Sequence, residues 1–165
     1  LEIRALGAQG DGLAELEGRR IYAPFALPGD VVEAEVEGDR ARLIAILKPS
    51  LDRRPARCSQ FQVCGGCSVQ ELQERAYLSW KRQLVADALQ ARGLEPPVED
   101  VRPCAPNTRR RAAFAAQRTA QGVVVGFNAR RSGAVVALRD CAIVTPALFA
   151  CLPLLARLAA PLAPS

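Results

Sequence analysis

Six cysteines are the residues best able to do chemistry in this chain, and three of them lie within one ten-residue string, Cys58-Ser-Gln-Phe-Gln-Val-Cys64-Gly-Gly-Cys67. Thiolates are soft ligands that suit zinc and iron–sulfur centres. Gly65 and Gly66 let the backbone bend and bring amide N–H groups close to sulfur, where they stabilise a negatively charged sulfur centre. A four-thiol site needs one more ligand, from Cys104, Cys141 or Cys151. Cys141 is the best placed, because it follows an apolar run and the polar pair Arg139-Asp140, where an element should end. Cys151 lies in an apolar helical stretch, where a thiol behaves as a small hydrophobe. Cys104 sits in the stiff piece Pro103-Cys104-Ala105-Pro106. Zinc sites usually pair two Cys-x-x-Cys knuckles, and this string has one knuckle beside a five-residue gap. A 4Fe-4S cluster tolerates irregular spacing. Disulfides would fit a secreted chain, which no signal segment supports. Spacing leaves cluster, zinc and unligated thiols open.

The second chemical feature is cationic. The 165 residues carry a net charge of +5, spread unevenly. Residues 1–48 hold nine acids against six bases, residues 49–100 seven of each, and residues 101–165 nine Arg against the lone Asp140. Twenty of the 22 bases are Arg, which forks onto phosphate and stacks on bases better than Lys. A nearly acid-free, Arg-rich third repels itself and implies a polyanionic partner. The chain has no His, which excludes His-based catalysis and His-ligated metals within these residues. It has no Met, so a segment of a longer protein is expected. No apolar run is long enough for a membrane helix.

Elements must position these groups. Residues 1–48 read as about five short strands, with turns at Gly10-Asp11-Gly12, Leu27-Pro28-Gly29-Asp30 and Gly38-Asp39. That pattern predicts a small closed barrel, because closure removes the open edges. Residues 49–67 form the Cys-rich connection. Ser68-Val69-Gln70-Glu71 reads as a capping box opening a helix to about residue 91, closed by Gly93 and Pro96-Pro97. Residues 111–118, 123–127 and 134–138 predict an antiparallel meander. Thr145-Pro146 opens a last helix, which Pro153 should kink or split and whose apolar faces require cover. The predicted fold is thus α+β: a small OB-like β-barrel, a Cys-rich connection, a helix and an antiparallel β-sheet.

Taken together, Cys58-x5-Cys64-Gly65-Gly66-Cys67-x2-Gln70, the preceding barrel turns, Arg109-Arg110-Arg111 and Leu138-Arg139-Asp140-Cys141 resemble the cluster-containing, S-adenosylmethionine-dependent RNA (uracil-5-)methyltransferases, of the 23S rRNA 5-methyluridine type. The resemblance implies a TRAM (OB-like) barrel at 1–48, a cluster-binding and RNA-recognition domain at 49–145, and a helix at 146–165 leading toward a catalytic domain that this chain lacks. It implies a 4Fe-4S cluster on Cys58, Cys64, Cys67 and Cys141, raising that reading over zinc. S-adenosylmethionine is expected only in the missing domain, together with the thiolate that adds to C6 of the base and the general base that removes the C5 proton. No catalytic residue is therefore expected here. RNA-binding is expected at Arg109 and Arg111, which share one face of a strand, and at Arg130 and Arg131 on a hairpin tip. The implied partner is ribosomal RNA, with no membrane, a cytoplasmic location and a monomeric state. The alternative is a stand-alone RNA-binding protein stabilised by zinc or a cluster; an electron-transfer protein would not need nine Arg in one third of its length.

Overall fold

The computed structural model describes residues 1–162; the end of the expected 146–165 helix, residues 163–165, lies outside the described residues. The chain separates into two compact units, residues 1–55 with 68–103, and residues 56–67 with 104–165.

The first unit contains β1 (Ala5–Leu6), β2 (Gly12–Leu16), β3 (Arg19–Ala23), β4 (Val31–Glu37), β5 (Arg40–Lys48) and α1 (Glu74–Gln90). The strands form one sheet in the order β1-β2-β3-β5-β4. Alternation makes one face apolar: Ile3, Ala14, Ile21, Ala23, Ala26, Val32 and Ala41 are its buried core. Four of these seven are Ala, so the layers approach closely, and a Cβ at Gly12 would stand 2.6 Å from the Ala26 carbonyl oxygen. The expected barrel is not a continuous closed ladder. Residues 1–3, ahead of β1, approach the start of β4 through an isolated antiparallel bridge, Glu2 to Val31, and bonds such as Val32 N–H to Leu1 O at 2.8 Å and Ile3 N–H to Asp30 O at 2.9 Å.

Helix α1 begins later than the capping box predicts. The Glu71 carboxylate does not cap a helix; it accepts from Arg53 Nη1 at 2.7 Å. Residues 51–54 and 71–73 pair instead, through Arg54 N–H to Glu71 O at 2.7 Å and Gln73 N–H to Asp52 O at 2.8 Å, and Leu72 is buried beside them. A half-buried ion pair thus outcompetes a local cap. The other end is as expected. Gly93 takes a left-handed φ of 71°, Gly93 N–H donates to Gln90 O and Leu94 N–H to Leu89 O, the paired bonds of a Schellman close.

The second unit contains the three-stranded antiparallel sheet β6 (Ala115–Thr119), β7 (Gly122–Asn128) and β8 (Val135–Ala137), followed by α2 (Pro146–Ala150) and α3 (Leu152–Ala159). The meander is the one expected, except that residues 111–114 are not strand. Phe114 packs on Phe127 with ring centroids 5.1 Å apart. Thr145 caps α2, its hydroxyl accepting from Leu148 N–H at 3.3 Å. Pro153 divides the apolar segment as predicted, by standing in the first turn of a separate helix. Leu152 of α3 is buried, while Leu154 and Leu158 are exposed. Among the described residues, no helix is long and apolar enough to cross a membrane.

Candidate metal centre and nucleic-acid interface

The cysteine segment belongs to the second unit and is sewn to its sheet. Gly65 N–H donates to Asn128 O at 2.9 Å, and Cys64 makes an isolated antiparallel bridge with Ala129. Space forces glycine there: a Cβ at position 65 would lie 2.8 Å from Asn128 O. At Gly66 the amide stands 3.5 Å from Cys64 Sγ, the kind of N–H to sulfur approach the Gly-Gly pair suggests.

Cys58 lies against the residues just before Cys141. Its thiol donates to Asp140 Oδ1 at 3.2 Å, and Asp140 Oδ2 accepts from Ser59 N–H at 3.2 Å. Burial first, then the Asp140 carboxylate and the neighbouring Cys141, push the Cys58 thiol up to about 11, against the opposing Gln60 amide. The thiol is therefore protonated at neutral pH in this state. A metal would have to displace that proton, because thiolate is the ligand. The same hydrogen bond, with help from Ser59, holds the Asp140 carboxyl below its ordinary value.

Cys58, Cys64, Cys67 and Cys141 are all half-buried and in one unit, whereas Cys104 and Cys151 are exposed. Exposure corrects the expectation that Cys151 is packed in a core: the break between α2 and α3 turns it outward, with Sγ on Ala147 O at 3.3 Å. None of the six cysteines is in a disulfide. In chemistry the four half-buried thiols fit a soft metal centre. In position they are not assembled as one: among the described residues, no three thiol, carboxylate or imidazole groups converge as a metal-holding group.

Arg109, Arg110 and Arg111 are all exposed. Arg109 does not sit in a regular strand as expected; it makes a single parallel bridge with the buried Val144. Its N–H donates to Ile143 O and its carbonyl accepts from Thr145 N–H, both at 3.0 Å. Asn107, at a left-handed φ of 58°, anchors this piece by donating Nδ2 to Cys141 O at 2.7 Å and to Val144 O at 3.1 Å. The arginine run and Cys141 are thus tied through one side chain. At the β7–β8 tip, Arg131 is exposed with a left-handed φ of 54°, and Arg130 is half-buried. Three positioning residues escaped sequence reasoning. Asp140 had a signal, being the lone acid among nine Arg; Gln60 and Asn107 had none, because polar loop residues look alike.

No family model matches this chain. It is 43% identical over 164 residues to an uncharacterized RNA methyltransferase of Brucella suis, a match covering 99% of this chain and 40% of that protein. It is 35% identical over 156 residues to the 23S rRNA (uracil(1939)-C(5))-methyltransferase RlmD of Methylococcus capsulatus, covering 88% of this chain and 35% of that one. Its homologues are named RNA methyltransferases. A solved relative points the same way: the tRNA (uracil-54, C5)-methyltransferase of Pyrococcus abyssi, in complex with S-adenosyl-L-homocysteine, superposes with a TM-score of 0.57 at 26% identity, covering 88% of this chain and 33% of that chain. The chain spans about 40% of the length of the RNA methyltransferases from Brucella that it matches.

Proposed function

We propose that this chain is the RNA-recognition and 4Fe-4S-binding portion of an S-adenosylmethionine-dependent methyltransferase that makes 5-methyluridine in ribosomal RNA. The observation carrying this reading is the 43% identity extending over 99% of the chain to a protein named an RNA methyltransferase. Two features of the second unit support it. Four half-buried thiols share that unit, and three exposed arginines stand beside the segment that carries Cys141.

In this reading Cys58, Cys64, Cys67 and Cys141 hold the cluster, which supplies a structural staple. Methyl transfer from a sulfonium to carbon moves no unpaired electron, so the staple needs no redox role. The residues of this chain bind and orient RNA; the addition of a thiolate to C6 and removal of the C5 proton belong to the rest of the protein. The first unit is the TRAM-like module of this reading. Its outer face is divided, since Arg4 is paired with Glu15 at 3.2 Å and Arg42 with Glu35 at 2.6 Å.

Metal content and visible absorption after anaerobic purification test the cluster. Brown protein with about four irons and four sulfides per chain is the expected result, and Cys141→Ala should lose most of that iron. Stoichiometric zinc would replace the cluster by the alternative reading. RNA binding is tested by its salt dependence. Each phosphate contact contributes roughly 0.7–0.9 to the slope of log affinity against log salt. Arg109→Ala with Arg111→Ala should lower that slope by about 1.5 with the iron content kept. An unchanged slope would remove these two residues from the interface. For the whole protein, a strain deleted of its gene should lack 5-methyluridine at one ribosomal RNA position, detected by mass spectrometry of nuclease digests.

A further inference from the structure

Strand β8 is an edge of its sheet. The rim of an edge strand offers unpaired N–H and C=O groups that something must cover. Here part of that rim is taken by a single side chain. Gln60 Nε2 donates to Ala137 O at 2.6 Å, and Gln60 Oε1 accepts from Arg139 N–H at 2.6 Å. The carbonyl of one strand residue and the amide two residues on point the same way, so a parallel neighbouring strand would meet both with the N–H and C=O of one residue. A carboxamide presents one donor and one acceptor on the same side, and here it takes the place of such a residue.

The backbone of the same residue works on the other side. Gln60 O accepts Cys64 N–H at 2.9 Å and Val63 N–H at 3.2 Å, closing the turn that delivers Cys64. One residue therefore grips the β8 edge with its side chain and the cysteine turn with its main chain. Ser59 N–H to Asp140 and Gly65 N–H to Asn128 O extend the seam on either side. None of these bonds involves sulfur.

We propose that Gln60 is a positioning residue that docks the cysteine segment onto the β8 edge in the absence of any inorganic group. Loading is then a local closure of thiols already held in one unit. This differs from small metal modules in which the sulfurs alone tie the chain and the metal-free form is unfolded. The proposal rests on the reading above only for which group is loaded.

The test is amide exchange on the reduced, chelator-treated full chain, with Co2+ titration as the probe of the thiols. The Arg139 amide should exchange at least about tenfold more slowly than in an unfolded peptide, without metal. Gln60→Leu keeps the bulk and removes both side-chain bonds; it should lose that protection and weaken Co2+ binding by about 10–100-fold, the usual cost of removing a residue that orients a ligand segment. Gln60→Glu still accepts from Arg139 but cannot donate to Ala137, and should fall between. Free exchange at Arg139 in the unsubstituted metal-free chain would overturn the proposal, as would Gln60→Leu binding Co2+ as tightly as the parent. The exchange measurement decides even if the Leu variant does not fold. A parent chain that takes up no iron–sulfur cluster on reconstitution would end the cluster reading, while Arg139 protection in the metal-free chain would still uphold the docking role.

Discussion

Replacing Arg53 by Ala should destabilise the first unit by about 3–5 kcal/mol, the cost of leaving a buried charge without its partner. Asp30 is fully buried, and its carboxylate accepts from Leu27 N–H at 2.6 Å and Ser50 N–H at 2.8 Å, with Arg53 Nη2 at 2.5 Å. The same guanidinium reaches Glu71 at 2.7 Å and the Phe25 carbonyl at 2.9 Å. Phe25 has a left-handed φ of 67°, a costly conformation for an aromatic residue that surrounding bonds must hold. Arg53 thus joins the β3–β4 turn, the end of β5 and the entry to α1. Arg53→Lys keeps the charge but loses the fork, so it should recover only part of the loss. Leu27 N–H bonds to Oδ2 and Ser50 N–H to Oδ1, so Asp30→Asn, with one oxygen, loses one of these bonds as well as the charge and should cost about as much as Arg53→Ala, roughly 3–5 kcal/mol. Trp80, the one Trp of the chain, lies in this unit, so its fluorescence in urea reads the unfolding directly. A loss below about 1 kcal/mol for Arg53→Ala would mean that the pair is not what anchors the turn.

The same pair sets an acid limit. Burial alone would raise the Asp30 carboxyl, but the Arg53 bond and the Leu27 and Ser50 amides prevail and hold it below its ordinary 3.8. A carboxyl depressed by folding stabilises the native state fully above its unfolded value. That contribution is lost as pH falls through the folded value. Parent stability should therefore drop below about pH 4, with a steeper fall than in Asp30→Asn.

Gly126→Ala should cost the second unit about 3 kcal/mol or more, the upper range for forcing atoms into a packed site. Gly126 is the middle-strand residue paired with Ala115 on one side and Ala137 on the other. A Cβ built there overlaps the carbonyl oxygen of Val136 and stands 3.0 Å from its carbonyl carbon, and both atoms are backbone, which cannot rotate away as a side chain could. Relief requires β8 to move. β8 leads directly into Arg139, Asp140 and Cys141, so on the proposed cluster reading iron retention should fall with it. Gly133→Ala is the control: a Cβ there meets nothing within 4 Å, and the change should stay within about 0.5 kcal/mol. Amide exchange at β7 and β8 is the suitable measurement, because the second unit contains no Trp and two units need not unfold together. Native-like protection in Gly126→Ala would show that the sheet has room that the backbone spacing denies.

Local signals were legible where the physics is local. Thr145-Pro146 carries its own cap, Gly93 its left-handed close, Pro153 its break, and the Gly122 and Ser132-Gly133 turns separate three strands whatever else surrounds them. The Cys58-x5-Cys64-Gly-Gly-Cys67 string and the Arg bias likewise stand in the sequence without a fold. The capping box at Ser68 failed because Arg53, eighteen residues before Glu71, takes its carboxylate. No periodicity records that competition.

Sequence by itself determined most element types, the thiol inventory, the uneven charge and the likeness to proteins named RNA methyltransferases, since each depends on residue identity and short spacing. Tertiary structure alone decided which groups meet: Cys58 with Asp140, Gln60 with the β8 edge, Asn107 with the Cys141 carbonyl, Asp30 with Arg53. Those contacts join residues 23 to 82 positions apart, and a polar side chain carries no mark of a partner that far along the chain. Its partner is chosen when packing excludes water and every buried donor and acceptor must be satisfied at once.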